Sequence, residues 1–141
     1  MDIDISAAVI AGLVATGAMT GLLYAGIGMM PAQMTMNLLY MEGSMATAAR
    51  APAYVLGATM HTMVGVAFAL LHVAIYQVLG FESGLAVWGL GIGIGHALFA
   101  GAVGMPMIGM IHPLIRSGQL LAPGFMVTNH PMGTGAGFFN G

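Results

Sequence analysis

The stretch "APAYVLGATMHTMVGVAFALLHVAIYQVL" runs from Ala51 to Leu79 without one Asp, Glu, Lys or Arg. About 20 apolar residues in a helix cross the roughly 30 Å of bilayer hydrocarbon. This stretch exceeds that length. Two more charge-free stretches do the same, one between Ile5 and Met41 and one between Ser83 and Ile115. A transmembrane helix is therefore expected three times.

The rest of the composition agrees. Only 4% of the 141 residues are charged, against about 25% in an ordinary globular chain. There is no lysine, and two arginines and four acids cannot cover a water-facing surface. The hydrophobic fraction is 59% and the mean hydropathy +0.96. The expected class is an all-α integral membrane protein, a single membrane domain over 1–141. "MDIDIS" at the start carries no Lys or Arg, and a secretory signal needs a basic n-region. The first apolar stretch is therefore expected to be retained as a span. With no cysteine, disulfides and thiolate chemistry are excluded. A net charge of −2 gives no nucleic-acid signal.

The spans are expected at about 5–30, 52–79 and 84–111. Pro31 closes the first, and Pro52 opens the second at a position where its missing N–H costs nothing. Tyr54 and Tyr76 stand about 33 Å apart along one helix, which suits anchors at both interfaces. Residues 80–83 leave room only for a hairpin between the second and third spans. Residues 34–50 are expected as an interfacial helix or as a loop against a partner. The tail, 112–141, holds Pro113, Pro123 and Pro131 among many glycines and is expected to be irregular. Leu120 to Val127 is the part of it that could dip into the membrane. Three spans put Arg50 and Arg116 on one side and Asp2, Asp4 and Glu82 on the other. The positive-inside rule then places the N-terminus outside and the C-terminus in the cytoplasm, in a cell membrane taken to be prokaryotic.

Helices in lipid associate by close packing, which small residues permit. Gly17 and Gly21 lie four apart, beside a second row of Gly12, Thr16 and Thr20. Gly89, Gly93, Ala97 and Gly101 form a longer row, with Gly91 and Gly95 next to it. Span three thus has small residues on two sides, more than one neighbour within a three-helix chain can use, so partner subunits are expected. "GLGIGIG" (Gly89–Gly95) is no dinucleotide fingerprint, since His96 stands where the last glycine belongs and no strand precedes it.

The chain has fifteen methionines. From Val64 to Gly104 there is none, and all but Met1 and Met19 fall near one side of the membrane. His61, His112 and His130 belong to that side too. Thioether and imidazole suit Cu(I). The candidate ligands are Met34, Met36, Met60, His61, Met63, Met105, Met107, Met110 and His112. The plainer reading is gap-filling, because methionine is flexible and fits irregular apolar contacts. Within the spans, His72 and His96 lie at similar depth on either side of the hairpin. They could share a metal ion or ligate a haem b. The plainer reading there is that each imidazole bonds a carbonyl, Thr62 or Tyr76.

No carboxylate falls within a span, because Asp2, Asp4, Glu42 and Glu82 all lie near span ends. No catalytic set assembles from the spacing. The expected function is a small non-catalytic membrane subunit that packs by its glycine faces and its Met-rich side into a larger complex. The alternatives are a Cu(I)-binding protein or accessory of a copper-dependent membrane enzyme, and a bis-histidine haem b subunit.

Overall fold

In the computed structural model, residues 4–31 and 36–120 are described. Helix α1 covers Ile5–Met29, α2 Leu38–Gly43, α3 Arg50–Val78, α4 Leu85–Phe99, α5 Met105–Ile111 and α6 Pro113–Arg116. No strand occurs among the described residues. Three helices are long and apolar enough to cross a membrane: α1, α3, and the continuous rod of α4 and α5, Leu85–Ile111.

Local chemistry sets the boundaries. Asp4 caps α1 by accepting from the Ala7 N–H at 2.9 Å. Asn37 caps α2 in the same way, accepting from Tyr40 N–H at 3.1 Å. The α3–α4 hairpin is closed by a Schellman motif. Phe81 N–H donates to Tyr76 O at 2.9 Å and Gly80 N–H to Gln77 O at 3.2 Å. Gly80 has φ 69°, a conformation that disfavours any side chain. The apolar contact that accompanies such a motif is Tyr76 against Phe81, with ring centroids 6.2 Å apart. Phe81 in turn stacks on Trp88 at 4.1 Å. The turn is thus held by three aromatic rings.

The rod of span three is not uniform. Between α4 and α5 lies a π-helical turn, Ala100–Gly104. Pro106 follows at once, and its ring clashes with the carbonyl four residues back in a regular helix. A widened turn there accommodates it, as π-bulges do at such points.

One stripe of α3 organises the packing. Ala53, Gly57, His61, Gly65 and Ala69 recur every four residues. Four residues turn a helix by about 400°, so the stripe winds slowly and meets two neighbours in succession. Its first half meets α2. A Cβ on Gly43 would strike the Ala53 backbone, and one on Gly57 would strike the Leu39 carbonyl. Its second half meets α1. A Cβ on Gly12 would come within 2.9 Å of Ala69 Cβ and 3.0 Å of Val66 Cα, and one on Gly65 would strike Thr16 Oγ1. Ala8, Gly12 and Thr16 are accordingly the buried residues of α1.

The segment after span one therefore packs on its own chain. It forms a six-residue helix against α3 rather than a loop kept for a partner. Met36, Leu38 and Met41 make a small apolar core there, with Leu23, Met105 and Ile108 against it. The ends of spans one and three thus meet at α2. Elsewhere the spans expose large apolar side chains, among them Val14, Leu22, Val87 and Leu98, as lipid-facing helices do. Hydroxyls in the spans bond back to carbonyls one turn earlier: Thr20 to Thr16 O at 2.7 Å, Thr62 to Ala58 O at 2.8 Å.

Candidate functional site

The polar side chains of this apolar chain gather around α2. Tyr24 of α1 donates to Asn37 Oδ1 at 2.7 Å, and Asn37 Nδ2 donates to Tyr54 Oη of α3 at 2.5 Å. Asn37 thus ties α1, α2 and α3 together while capping α2. Tyr54 also packs its ring 5.7 Å from that of Tyr40.

His112 lies below, with no exposed surface. Its Nε2 is 2.8 Å from Met41 O and 3.2 Å from Ser44 Oγ. Its Nδ1 accepts from Leu114 N–H at 3.2 Å and so caps α6. Because Nδ1 accepts, the proton sits on Nε2 and donates to the carbonyl. Pro113 holds His112 in the extended backbone that a cap requires, since a residue before proline avoids the helical region. Both nitrogens are occupied, and the ring acts as a rivet between α2 and the start of α6.

His61 is different. Its Nδ1 lies 3.2 Å from Glu42 Oε1. The His61 side chain is 8% exposed and that of Glu42 19%. Glu42 Oε2 and His61 Nε2 are buried and have no hydrogen-bond partner among the described residues. Each such atom costs about 1–3 kcal/mol when left unpaired. Burial raises the Glu42 carboxyl above the usual carboxylate range, and the facing His61 pulls it part of the way back. The carboxylate expected at a span end is therefore packed inside, against the histidine in the middle of the α3 stripe.

The expected metal donors distribute as follows. Met36 is buried in the apolar core with Met41, and Met105 packs against it. Met60, Met63, Met107 and Met110 are 39, 68, 54 and 69% exposed. His61 and His112 are engaged as described. Met34, Met126, Met132 and His130 lie outside the described residues, as does the 121–141 part of the tail. Among the described residues no three of His, Asp and Glu form a metal-binding group.

Across the hairpin, His72 and His96 come together with ring centroids 5.6 Å apart, edge to face. Phe68 covers His96 at 4.0 Å. Axial imidazoles of a haem face the iron from opposite sides of a macrocycle. His72 and His96 instead meet edge to face across the hairpin. The expected bonds of the histidines to Thr62 and Tyr76 are not formed. Thr62 bonds Ala58 O, and Tyr76 Oη instead lies 2.9 Å from where a Cβ on Gly89 would be.

Of the glycine rows, Gly12 and Thr16 make the α1–α3 contact. A Cβ placed on Gly17 or Gly21 would meet nothing within 4 Å among the described residues. Gly101 is buried and Gly89 meets Tyr76, while Gly91, Gly93 and Gly95 have nothing within 4 Å and Ala97 is exposed.

Sequence reasoning missed Glu42, Asn37, Tyr24, Tyr54 and Ser44 as members of one cluster. The four-residue stripe of α3 was the available signal, because it carries one polar side chain, His61, in a row of Ala and Gly.

The architecture is that of a three-span helical membrane protein with a polar cluster under one short helix. No family model, no curated protein and no solved structure matches the chain.

Proposed function

We propose that the chain is a small integral membrane subunit, without catalytic activity of its own, that packs into a larger membrane complex. The observation that carries this reading is that α4 is open on two sides. A Cβ placed on Gly93, or on Gly91 and Gly95 about 160° round the helix, would meet nothing within 4 Å among the described residues. Small residues on a transmembrane face allow another backbone to approach closely, the main source of helix association where lipid is as apolar as leucine. Gly17 and Gly21 offer a second such face on α1. The exposed Met60, Met63, Met107 and Met110 supply side chains that adapt to an irregular partner surface. Arg50 and Arg116 set the cytoplasmic side, with the N-terminus outside.

Affinity purification after mild detergent extraction tests the reading. The expected result is stoichiometric recovery of other membrane polypeptides, lost when Gly93→Leu and Gly91→Leu together fill both open sides. Recovery of the native chain free of any other polypeptide contradicts it.

A further inference from the structure

We propose that Glu42 and His61 are a proton-loading pair, a carboxyl–imidazole unit with an open atom at each end, and not a structural salt bridge. This goes beyond the subunit reading and does not depend on it.

The contrast with His112 carries the argument. Where this chain uses a histidine to hold elements together, it satisfies both nitrogens: His112 bonds Met41 O, Ser44 Oγ and Leu114 N–H. A buried structural pair would be expected to be completed in the same way, since unpaired buried polar atoms are rare. The Glu42–His61 pair has one internal contact, Nδ1 to Oε1 at 3.2 Å, and the outer atom of each partner is unbonded among the described residues. Imidazole geometry sets Nε2 on the far side of the ring from Nδ1, so the open nitrogen points away from the carboxylate. One end of the unit is thus a proton acceptor on the imidazole, and the other is the second carboxyl oxygen.

The step balances with one proton. The unloaded pair is a carboxylate facing a neutral imidazole protonated at Nδ1, with a buried charge of −1. A proton added at Nε2 forms that N–H bond and gives imidazolium. The Nδ1–H bond then breaks as an O–H bond forms on Glu42 Oε1. The product is a neutral acid beside a neutral imidazole protonated at Nε2, with no buried charge. Reversal releases the proton. Burial, which holds the Glu42 carboxyl above the usual carboxylate range, favours the loaded form.

The other titratable groups of the cluster are few. Tyr24 on α1 feels the charge of Glu42. Tyr54 on α3 joins Tyr24 through Asn37. His112, ahead of α6, is locked by its three bonds. Arg50 and Arg116 are exposed. No cation other than His61 faces Glu42 among the described residues.

The test uses the full chain in lipid nanodiscs, with labelled histidine ring nitrogens and glutamate carboxyl carbons, read by magnetic resonance from about pH 4 to 9. The expected result is that Glu42 gains a proton and the His61 proton moves from Nδ1 to Nε2 at one shared midpoint. In Glu42→Gln the shared midpoint disappears. A second reading on the native chain follows the carboxyl band in the infrared after dilution into D2O. The Glu42 proton should exchange before the amides of α2 do. A pair that keeps one protonation state across the range, or a carboxyl proton that exchanges only together with the α2 amides, overturns the proposal.

Discussion

Glu42 is the only one of the chain's four acids with an imidazole partner among the described residues, and its environment fixes a sign. Its carboxyl binds a proton more tightly in the folded chain than in the unfolded one, because burial outweighs the pull of His61. Stability linked to this group is fully present below the ordinary carboxylate range and is lost as pH rises through the raised value. Thermal unfolding in detergent should therefore show a melting temperature that falls as pH rises from about 4 to 7. In Glu42→Gln this slope should flatten, and an unchanged slope would assign it to another group. His112 makes a separate prediction. Replacing it by Ala removes a fully buried ring, breaks its bond to Met41 O and strands Leu114 N–H, while Ser44 Oγ still donates to Met41 O. A loss of about 2–4 kcal/mol is expected. Denaturant unfolding in mixed micelles checks it, and a loss below about 0.5 kcal/mol would contradict the rivet role.

At the scale of elements, the span positions were legible because charge is so costly in hydrocarbon that its absence marks them. The hairpin was legible for the same reason, since only a few residues separate two charge-free runs. The choice among small-residue rows was not. Gly17–Gly21 and Gly12–Thr16 lie about 140° apart around one helix, and only the neighbour's position decides which is used. The polar cluster was hidden because Glu42 and His61 are nineteen residues apart on different elements. What joins them is the fit of Gly43 and Gly57, visible only once α2 is docked. These glycines separate by substitution. Gly57→Ala drives a methyl into the Leu39 carbonyl, so it should cost about 1–3 kcal/mol and expose the α2 amides to hydrogen exchange. Gly17→Ala meets nothing among the described residues and should leave stability unchanged or raise it by up to about 1 kcal/mol. Equal effects of the two would remove the distinction between inner and outer faces.

At the scale of the whole molecule, burial is concentrated on the side where α2 sits, with a second, smaller patch at Ala8, Gly12 and Thr16 of α1. Of the described hydrophobic residues only Ala8, Met36, Leu38, Met41, Ala53 and Ile115 are buried, and four of these belong to α2, its approach or the turn of α3 against it. Span three touches α3 mainly through Phe68, His72 and Tyr76, and much of its surface is open. Such a chain has a docked end and a loose end, and the loose end is where a neighbouring helix would add the most contact. The most direct measurement is native mass spectrometry of the chain released from its own membrane in lipid particles. The expected masses are those of the 14.4 kDa chain bound to other membrane polypeptides, and Gly93→Leu with Gly91→Leu should release it while α2 stays docked. A spectrum of the free 14.4 kDa chain, or of copies of it alone, would contradict a subunit built to pack among other chains.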